Sequence, residues 1–465
     1  MGRRGSGGEV ALDPVRRLAL EALLRAEEQN SYVNLYLQTR LAESNLHPRE
    51  KALVTEIANG VTRWRLYLDW VLSRFCKTPL DELPPIPRNI LRIGAYQILF
   101  MGSVAAPVAC NAAVELTKAL SHPGMVALVN AVLRRVAENK DNIPLPDRDR
   151  EPARFLSVKY SHPEWLVERW LKEWGWEETE ALLRANNEPP PLVLRVNTLK
   201  VSVGEFLELL EERGVSAEPC KFAPDGVVVR GGDKGEALKL VRKGLAYAQD
   251  ESAMIVTHIL SPRPGEKILD DCAAPGGKTS HIGALMQNQG EILAMDVHEQ
   301  RLKLVEKTCK RMGVTIVRLV PADGRSAWLF LSEKVDKVLV DVPCSGTGTL
   351  RRRADARWRK SPELIREMAG LQYELLRGVA PLVKVGGVIV YSTCSLEREE
   401  DEEVVRRFLE RHPEFEPEET RQYLPRPIPD CEAEFGAIRL FPHRHGTDGA
   451  FIARLVKRAE GRVEE

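Results

Sequence analysis

Lys267-Ile-Leu-Asp-Asp-Cys-Ala-Ala-Pro-Gly-Gly-Lys-Thr279 is the stretch that decides the architecture. A short apolar strand runs into a glycine-rich turn. Gly276 and Gly277 let the backbone approach a ligand closely and feed a helix from Thr279. The same strand–turn–helix rhythm continues downstream. Further strands are expected at Glu291–Met295, Ile316–Val320, Lys337–Val340 and Val388–Tyr391, with helices between them. Such alternation predicts a doubly wound, mainly parallel sheet. The turn is neither Gly-x-Gly-x-x-Gly nor a P-loop, which weakens dinucleotide and ATP readings.

Outward from this core the chain reads as three parts. Residues 1–145 form an all-α bundle. Asp13 and Pro14 open a helix with an apolar stripe of Val15, Leu18, Ala19 and Leu23, and His47-Pro48 opens another. The Pro-rich, charged stretch Asp141–Pro152 is a linker. Residues 146–240 make a small α+β module, with strands at Leu192–Val196 and Gly226–Arg230 and a helix over Phe206–Arg213. The Trp residues at 165, 170, 174 and 176 suit packing better than base stacking. Residues 241–465 are the α/β Rossmann-like domain.

Bulk composition sets limits. The chain has 465 residues, 43% hydrophobic and 29% charged, with 67 basic residues balancing 67 acidic ones. Zero net charge argues against a whole-molecule electrostatic binder of nucleic acid but permits a local basic face. The eight cysteines contain no Cys-x-x-Cys pair, so no metal site is expected. Met1–Gly8 is Gly/Arg-rich with no apolar segment behind it, and no apolar run reaches the ~18 residues of a membrane span. A cytoplasmic chain with reduced thiols is expected.

Ligands of open α/β sheets bind at the carboxyl ends of the strands. The turn after Ile268-Leu269-Asp270 is placed there. Asp296 ends the next strand, where an acid grips ribose hydroxyls, and Asp323 ends the third, within reach of an adenine amino group. A single Asp is more often a cap or turn residue; a series at successive strand ends points to a cofactor cleft. Acids without a phosphate cradle suit a sulfonium ligand.

Two cysteines then follow strands directly. One is Cys344 in Val338-Leu-Val-Asp-Val-Pro-Cys-Ser-Gly-Thr-Gly348, the other Cys394 in Val388-Ile-Val-Tyr-Ser-Thr-Cys-Ser395. A lone cysteine is usually a small buried hydrophobe. These two lie in polar turns of small residues, where access is expected. A cofactor turn with two such thiols suggests nucleophilic catalysis on an unreactive ring, with a pyrimidine as the leading candidate. Carbon 5 of cytosine is a poor nucleophile until a thiolate adds to carbon 6. A carboxyl near ring nitrogen 3, such as Asp341, favours that addition. The thiolate needs a nearby cation, for which Lys278 is a candidate.

These residues resemble the bacterial RsmB (Sun/Fmu) family of 16S ribosomal RNA cytosine-5 methyltransferases, within the Nop2/Sun superfamily. The resemblance spans nearly the whole chain. It implies S-adenosyl-L-methionine as cofactor, held by Cys272, Ala273, Ala274, Pro275, Gly276, Gly277 and Lys278, with Asp296, Asp323 and Asp341 as cofactor acids. It implies Cys394 as nucleophile, Cys344 in product release and Asp341 in base activation. The helical region, with Val129-Asn-Ala-Val-Leu-Arg-Arg135, looks like a NusB-like RNA-binding domain. Pro190–Asn197, Ala248–Ala253 and Asp448–Arg454 also look like family segments. Where the family has His-Pro, this chain has Arg353-Ala354.

The densest basic stretch, Arg351, Arg352, Arg353, Arg357, Arg359 and Lys360 with Trp358, follows the Pro-Cys motif. It is expected to bind phosphates of 16S ribosomal RNA beside the base pocket. A solvated helix face is the plainer reading. The target cytosine must be single-stranded or extruded. The protein is expected to be a monomer without metal or membrane association. The alternatives are cytosine-5 methylation of transfer RNA or another RNA, and a non-enzymatic NusB-like assembly factor.

Overall fold

The computed structural model describes residues 13–29 and 32–460; the Gly/Arg-rich residues 1–8 lie outside them. The chain forms two compact units. One runs to Asn187 and also takes in Arg353–Arg359; the other holds Glu188–Arg352 and the chain from Lys360 onward.

The first unit is helical, as the apolar stripes predict. Its helices are α1 (Pro14–Glu28), α2 (Val33–Glu43), α3 (Pro48–Arg63), α4 (Arg65–Phe75), α5 (Pro85–Phe100), α6 (Ala106–Leu120), α7 (Pro123–Glu138), α8 (Pro152–Tyr160) and α9 (Glu164–Ala185). Local chemistry starts them. Asp13 caps α1 by accepting from the Val15 N–H at 3.0 Å, and His47 with Glu50 forms a capping box on α3. Helix α5 is buried along most of its length. It can carry Arg92 inside because that guanidinium meets both oxygens of Asp69, at 2.7 and 2.9 Å, and Glu27 at 2.7 Å. Helix α9 is broken at Gly175, whose φ is +75°, and buries Trp170.

Residues 353–359 are built into this unit. Trp358 donates its indole N–H to the Thr62 carbonyl at 2.8 Å, and Asp355 accepts from the Val33 N–H at 3.0 Å. Arg357 is fully buried. It donates to the carbonyls of Ser161 (3.0 Å) and Asn186 (3.1 Å) and to Asn187 Oδ1 (2.9 Å).

The second unit holds two sheets. Strands β1 (Leu192–Val196), β2 (Ser216–Pro219), β3 (Gly226–Gly231) and β4 (Ala246–Ala248), with α10 (Val203–Glu211) and α11 (Lys234–Arg242), form an antiparallel sheet of order β2-β3-β1-β4. After α12 (Glu251–Leu260) come β5 (Lys267–Asp271), α13 (Gly277–Leu285), β6 (Glu291–Asp296), α14 (Glu299–Met312), β7 (Val317–Pro321), β8 (Val335–Asp341), α15 (Pro362–Val379), β9 (Val383–Thr393), α16 (Glu402–Arg411), β10 (Phe415–Glu418), β11 (Ile438–Leu440) and β12 (Ala450–Lys457). The larger sheet runs β10-β12-β9-β8-β5-β6-β7, with β11 paired to β12. Its β9-β8-β5-β6-β7 portion is parallel. Strand β12 enters antiparallel between β9 and β10.

This order places the chemistry. Strand β5 lies between β6 and β8, so the glycine-rich turn leaves the sheet where the winding reverses. Asp341 pairs in register with Ser392. The two cysteine loops therefore leave neighbouring strands side by side.

Candidate active site

The turn after β5 is shaped by backbone that few residues tolerate. Cys272 has φ +62° and the Ala274–Pro275 peptide is cis. Gly276 sits at φ +94°, and a Cβ there would come within 2.9 Å of the Val305 Cα. Only glycine fits both constraints. The start of α13 is held from outside the larger sheet. Arg195, buried on β1, donates to the Gly277 carbonyl at 2.5 Å and to Ser280 Oγ at 2.8 Å. Asp225 adds a second tie, with His258 at 2.8 Å and His281 at 2.5 Å. These partners also explain why Pro190–Asn197 carries an arginine among apolar strand residues.

Acids ring the turn. Asp270 and Asp271 are fully buried, and burial pushes each carboxyl up to about 7. Asp270 accepts from Thr279 Oγ1 at 2.6 Å. Asp271 accepts from the Cys272 N–H at 3.0 Å, while its other oxygen is buried without a partner. Asp296, at the end of β6, accepts from the His298 N–H at 3.0 Å. Its second oxygen makes no hydrogen bond and lies 3.3 Å from Arg301. Asp323 caps the turn after β7 and is paired with Arg325 at 2.6 Å, which holds its carboxyl below the ordinary range.

Asp341 accepts from Lys278 Nζ at 2.6 Å and from Ser392 Oγ at 2.7 Å. Burial alone would lower the Lys278 ammonium, but the Asp341 carboxylate outweighs it and the group stays charged. Asp270 and Cys394 also lie close enough to Lys278 to act on its charge. Under-compensated acids with orphaned oxygens, beside a turn that approaches closely, fit a ligand that brings hydroxyls, an amine and positive charge.

The two cysteine sulfurs lie 3.0 Å apart, unbridged. The hydrogen bond with Cys394 and burial raise the Cys344 thiol well above its ordinary value. The loops beneath them are locked together. The Gly348 N–H donates to the Cys394 carbonyl at 3.0 Å, and a Cβ on Gly348 would meet that carbonyl at 2.8 Å. Glu400, wholly buried, binds both loops: it accepts from the Ser345 N–H at 2.7 Å, from Ser345 Oγ, from Ser395 Oγ at 2.5 Å and from Gln372 Nε2 at 3.0 Å. Sequence reasoning missed Glu400 and Gln372.

Much of the basic stretch is held from within. Arg351 is buried and Arg352 half-buried, and both are tied to acids of the same unit. Arg351 donates to Asp448 at 2.6 Å and Asp250 at 3.3 Å, and Arg352 reaches the same two carboxylates at 2.5 Å each. Arg357 is enclosed in the first unit, where burial lowers it to about 9. These three guanidiniums have internal acceptors and brace the loop after the Pro-Cys motif. Arg353 alone of the four expected contacts is exposed. The segments around Asp250 and Asp448 thereby gain a physical role as a clamp on that loop.

Family models match along the chain: the NusB family over residues 13–138, the RsmF/B-like ferredoxin-like domain over 162–233, and 16S rRNA methyltransferase RsmB/F over 257–456. The probable ribosomal RNA small subunit methyltransferase B of Bacillus subtilis (strain 168) is 36% identical over 449 residues, covering 96% of this chain and 99% of that protein. The crystal structure of PH0851 superposes with a TM-score of 0.79 at 32% identity, over 96% of this chain and 99% of that one. NSun6 from Pyrococcus horikoshii with SFG superposes with a TM-score of 0.57 at 26% identity, over 64% of this chain and 98% of that one. The fold and the matches together define a methyltransferase. The chain belongs to the RsmB/F family of ribosomal RNA methyltransferases. Among the described residues no helix is long and apolar enough to cross a membrane.

Proposed function

We propose that the protein transfers a methyl group from S-adenosyl-L-methionine to carbon 5 of a cytosine in 16S ribosomal RNA, through a covalent bond between the base and Cys394. The observation that carries this reading is the pair of sulfurs 3.0 Å apart at the ends of adjacent strands, beside the Lys278–Asp341 ion pair. A structural cysteine pair has no need of a half-buried cation and carboxylate at its side.

The cofactor would lie along Cys272–Lys278, with Asp296 on its ribose, Asp323 toward its base and the acids of the turn facing its cationic centre. When bound, it supplies an electrophilic methyl group. The protein's own residues prepare the acceptor. Cys394 acts as the nucleophile, its proton passing to water, and Lys278 lies near enough to stabilise the thiolate. Its addition to carbon 6 forms a carbon–sulfur bond and moves an electron pair to carbon 5. Asp341 balances the charge that develops at ring nitrogen 3 through a shared proton. After methylation water takes the carbon 5 proton and the electron pair of that bond re-forms the ring double bond, while the Cys344 thiol, 3.0 Å from Cys394, is placed to give a hydrogen bond to the departing sulfur. The carbon 6–sulfur bond then breaks and returns the Cys394 thiolate. A thiol that keeps its proton suits this task, since it is a donor to the leaving thiolate.

The test is trapping. With RNA and cofactor, Cys344→Ala should accumulate a protein–RNA adduct that survives denaturing electrophoresis, and Cys394→Ala should form none. An adduct with Cys394→Ala and none with Cys344→Ala would reverse the roles. Loss of folding without selective trapping in either variant would remove both from the chemistry.

A further inference from the structure

Within the first unit, a cavity of about 330 Å³ opens between α1, α3, α4, α5 and residues 355–359. That is large enough for a nucleotide-sized ligand. Its walls are unusually rich in guanidinium groups. Arg65, Arg88, Arg92 and Arg359 face it, against the carboxylates of Glu27 and Asp355. Those carboxylates are already committed. Glu27 accepts from Arg88, Asn89 and Arg92, and Asp355 accepts from a backbone N–H of α2. Asp69, behind the wall, is taken by Arg92.

Two donors are left over. Arg65 lies over the Trp358 ring, its Cζ 4.5 Å from the centroid, and makes no ion pair among the described residues. The Arg88 Nε–H is buried with no acceptor. A buried donor without a partner costs stability, and Arg65 stands beside Arg88 and Arg92, whose own carboxylates are already shared between them. Burial and the charge of Arg92 lower the Arg65 guanidinium, and the carboxylates of Asp69 and Glu27 offset only part of that. An anion with several acceptor oxygens would pair with Arg65 and relieve its repulsion from Arg92. A carboxylate ligand could do so too. In a family that acts on RNA, the anion present at every position of the substrate is phosphate.

We propose that this cavity receives a backbone phosphate of the RNA, with Arg65 as the principal contact and Arg88 beside it. The site anchors the substrate and takes no part in the chemistry. The proposal rests on RNA as the substrate, but not on cytosine-5 transfer or on the roles of the cysteines.

The experiment uses the full chain and a transcript of small-subunit ribosomal RNA. Binding is measured by filter retention at a series of KCl concentrations. Arg65→Met keeps a long side chain over Trp358 and loses the charge, while Arg65→Lys keeps the charge. Arg65→Met should bind about fivefold more weakly at moderate salt, and its slope of log K against log[salt] should fall by about 0.7–0.9, the signature of one lost phosphate contact. Arg65→Lys should keep most of the slope. S-adenosyl-L-methionine affinity should be unchanged in both, which also reports that the second unit is folded.

Wild-type affinity and slope in Arg65→Met would overturn the proposal, as would equal loss in the Lys variant or no RNA binding by the wild-type chain. Inorganic phosphate provides the second arm. If it stabilises the wild type but not Arg65→Met against heat while RNA binding is identical in both, the cavity is a small-anion site and the RNA assignment fails. If RNA binding follows the prediction and no cytosine methylation is found, this site stands and the proposed reaction falls.

Discussion

Glu400 provides the sharpest test of how the site is held. Its carboxylate is wholly buried and serves four donors, two on Ser345, one on Ser395 and one on Gln372. In Glu400→Ala, Gln372 keeps the Pro343 carbonyl at 2.9 Å, and the two serine hydroxyls, 3.1 Å apart, can turn toward each other. The Ser345 N–H has no such escape. One orphaned buried N–H costs about 1–3 kcal/mol, and loss of the charge-assisted bonds adds a similar amount. A net loosening of about 3 kcal/mol follows, a factor of roughly a hundred in the local opening equilibrium. Hydrogen–deuterium exchange of peptides spanning Ser345 and Ser395 measures it directly. Those peptides should exchange about a hundredfold faster, while peptides of the first unit stay unchanged. The methylation rate should fall at least tenfold, because the loops set the spacing of the two sulfurs. Glu400→Gln, which keeps the shape but offers fewer acceptors, should fall between. Exchange in Glu400→Ala within twofold of wild type would refute the claim that this carboxylate holds the two loops.

Other outcomes follow from the same geometry. Asp296→Ala should weaken S-adenosyl-L-methionine binding by about tenfold or more, since a charge-assisted hydrogen bond is worth about 1.5–3 kcal/mol; titration calorimetry that finds unchanged affinity removes Asp296 from the cofactor site. Asp271 has a carboxyl raised to about 7, so the folded state holds a proton that the unfolded state releases above about 4. The wild type should therefore lose stability relative to Asp271→Asn as pH rises from about 4 to 7 and stay at that lower level above it; a difference that does not change with pH would refute the burial argument. Arg357→Met should lower the melting temperature of the first unit by several degrees, because two carbonyls and the Asn187 side chain lose their donor; calorimetry that finds no shift would make the guanidinium dispensable.

The cysteine motifs were legible because an apolar strand that ends in a turn of small polar residues has one plain reading in an α/β protein. The glycine-rich turn was legible for the same reason. The internal ion pairs of the basic stretch were not legible, because charge density in sequence says nothing about partners. Arg351 and Arg352 are neutralised by Asp250 and Asp448, each about a hundred residues distant in the chain. Glu400 was hidden by its surroundings. It lies in Glu397-Arg-Glu-Glu-Asp-Glu-Glu403, a run that reads as a solvated acidic surface, yet Glu397, Glu400, Asp401 and Glu402 are all buried. Asp401 and Glu402 are matched by Arg439 at 2.9 and 2.7 Å. Strand β12 escaped notice because it is buried along its whole length and so lacks the alternation that marks a half-exposed strand.

The placement of residues 353–359 has a consequence for how the chain can be made. The first unit is not finished when Asn187 leaves the ribosome; about 170 more residues must be added before Arg357 and Trp358 exist to fill their places. At ~5–20 residues per second that is a wait of roughly ten to thirty seconds, during which the Thr62, Ser161 and Asn186 carbonyls stay without their donors. Completion of the helical part is thereby timed to follow emergence of the Pro-Cys loop, and a nascent chain halted before residue 353 should show an N-terminal part more open to protease than one released at full length.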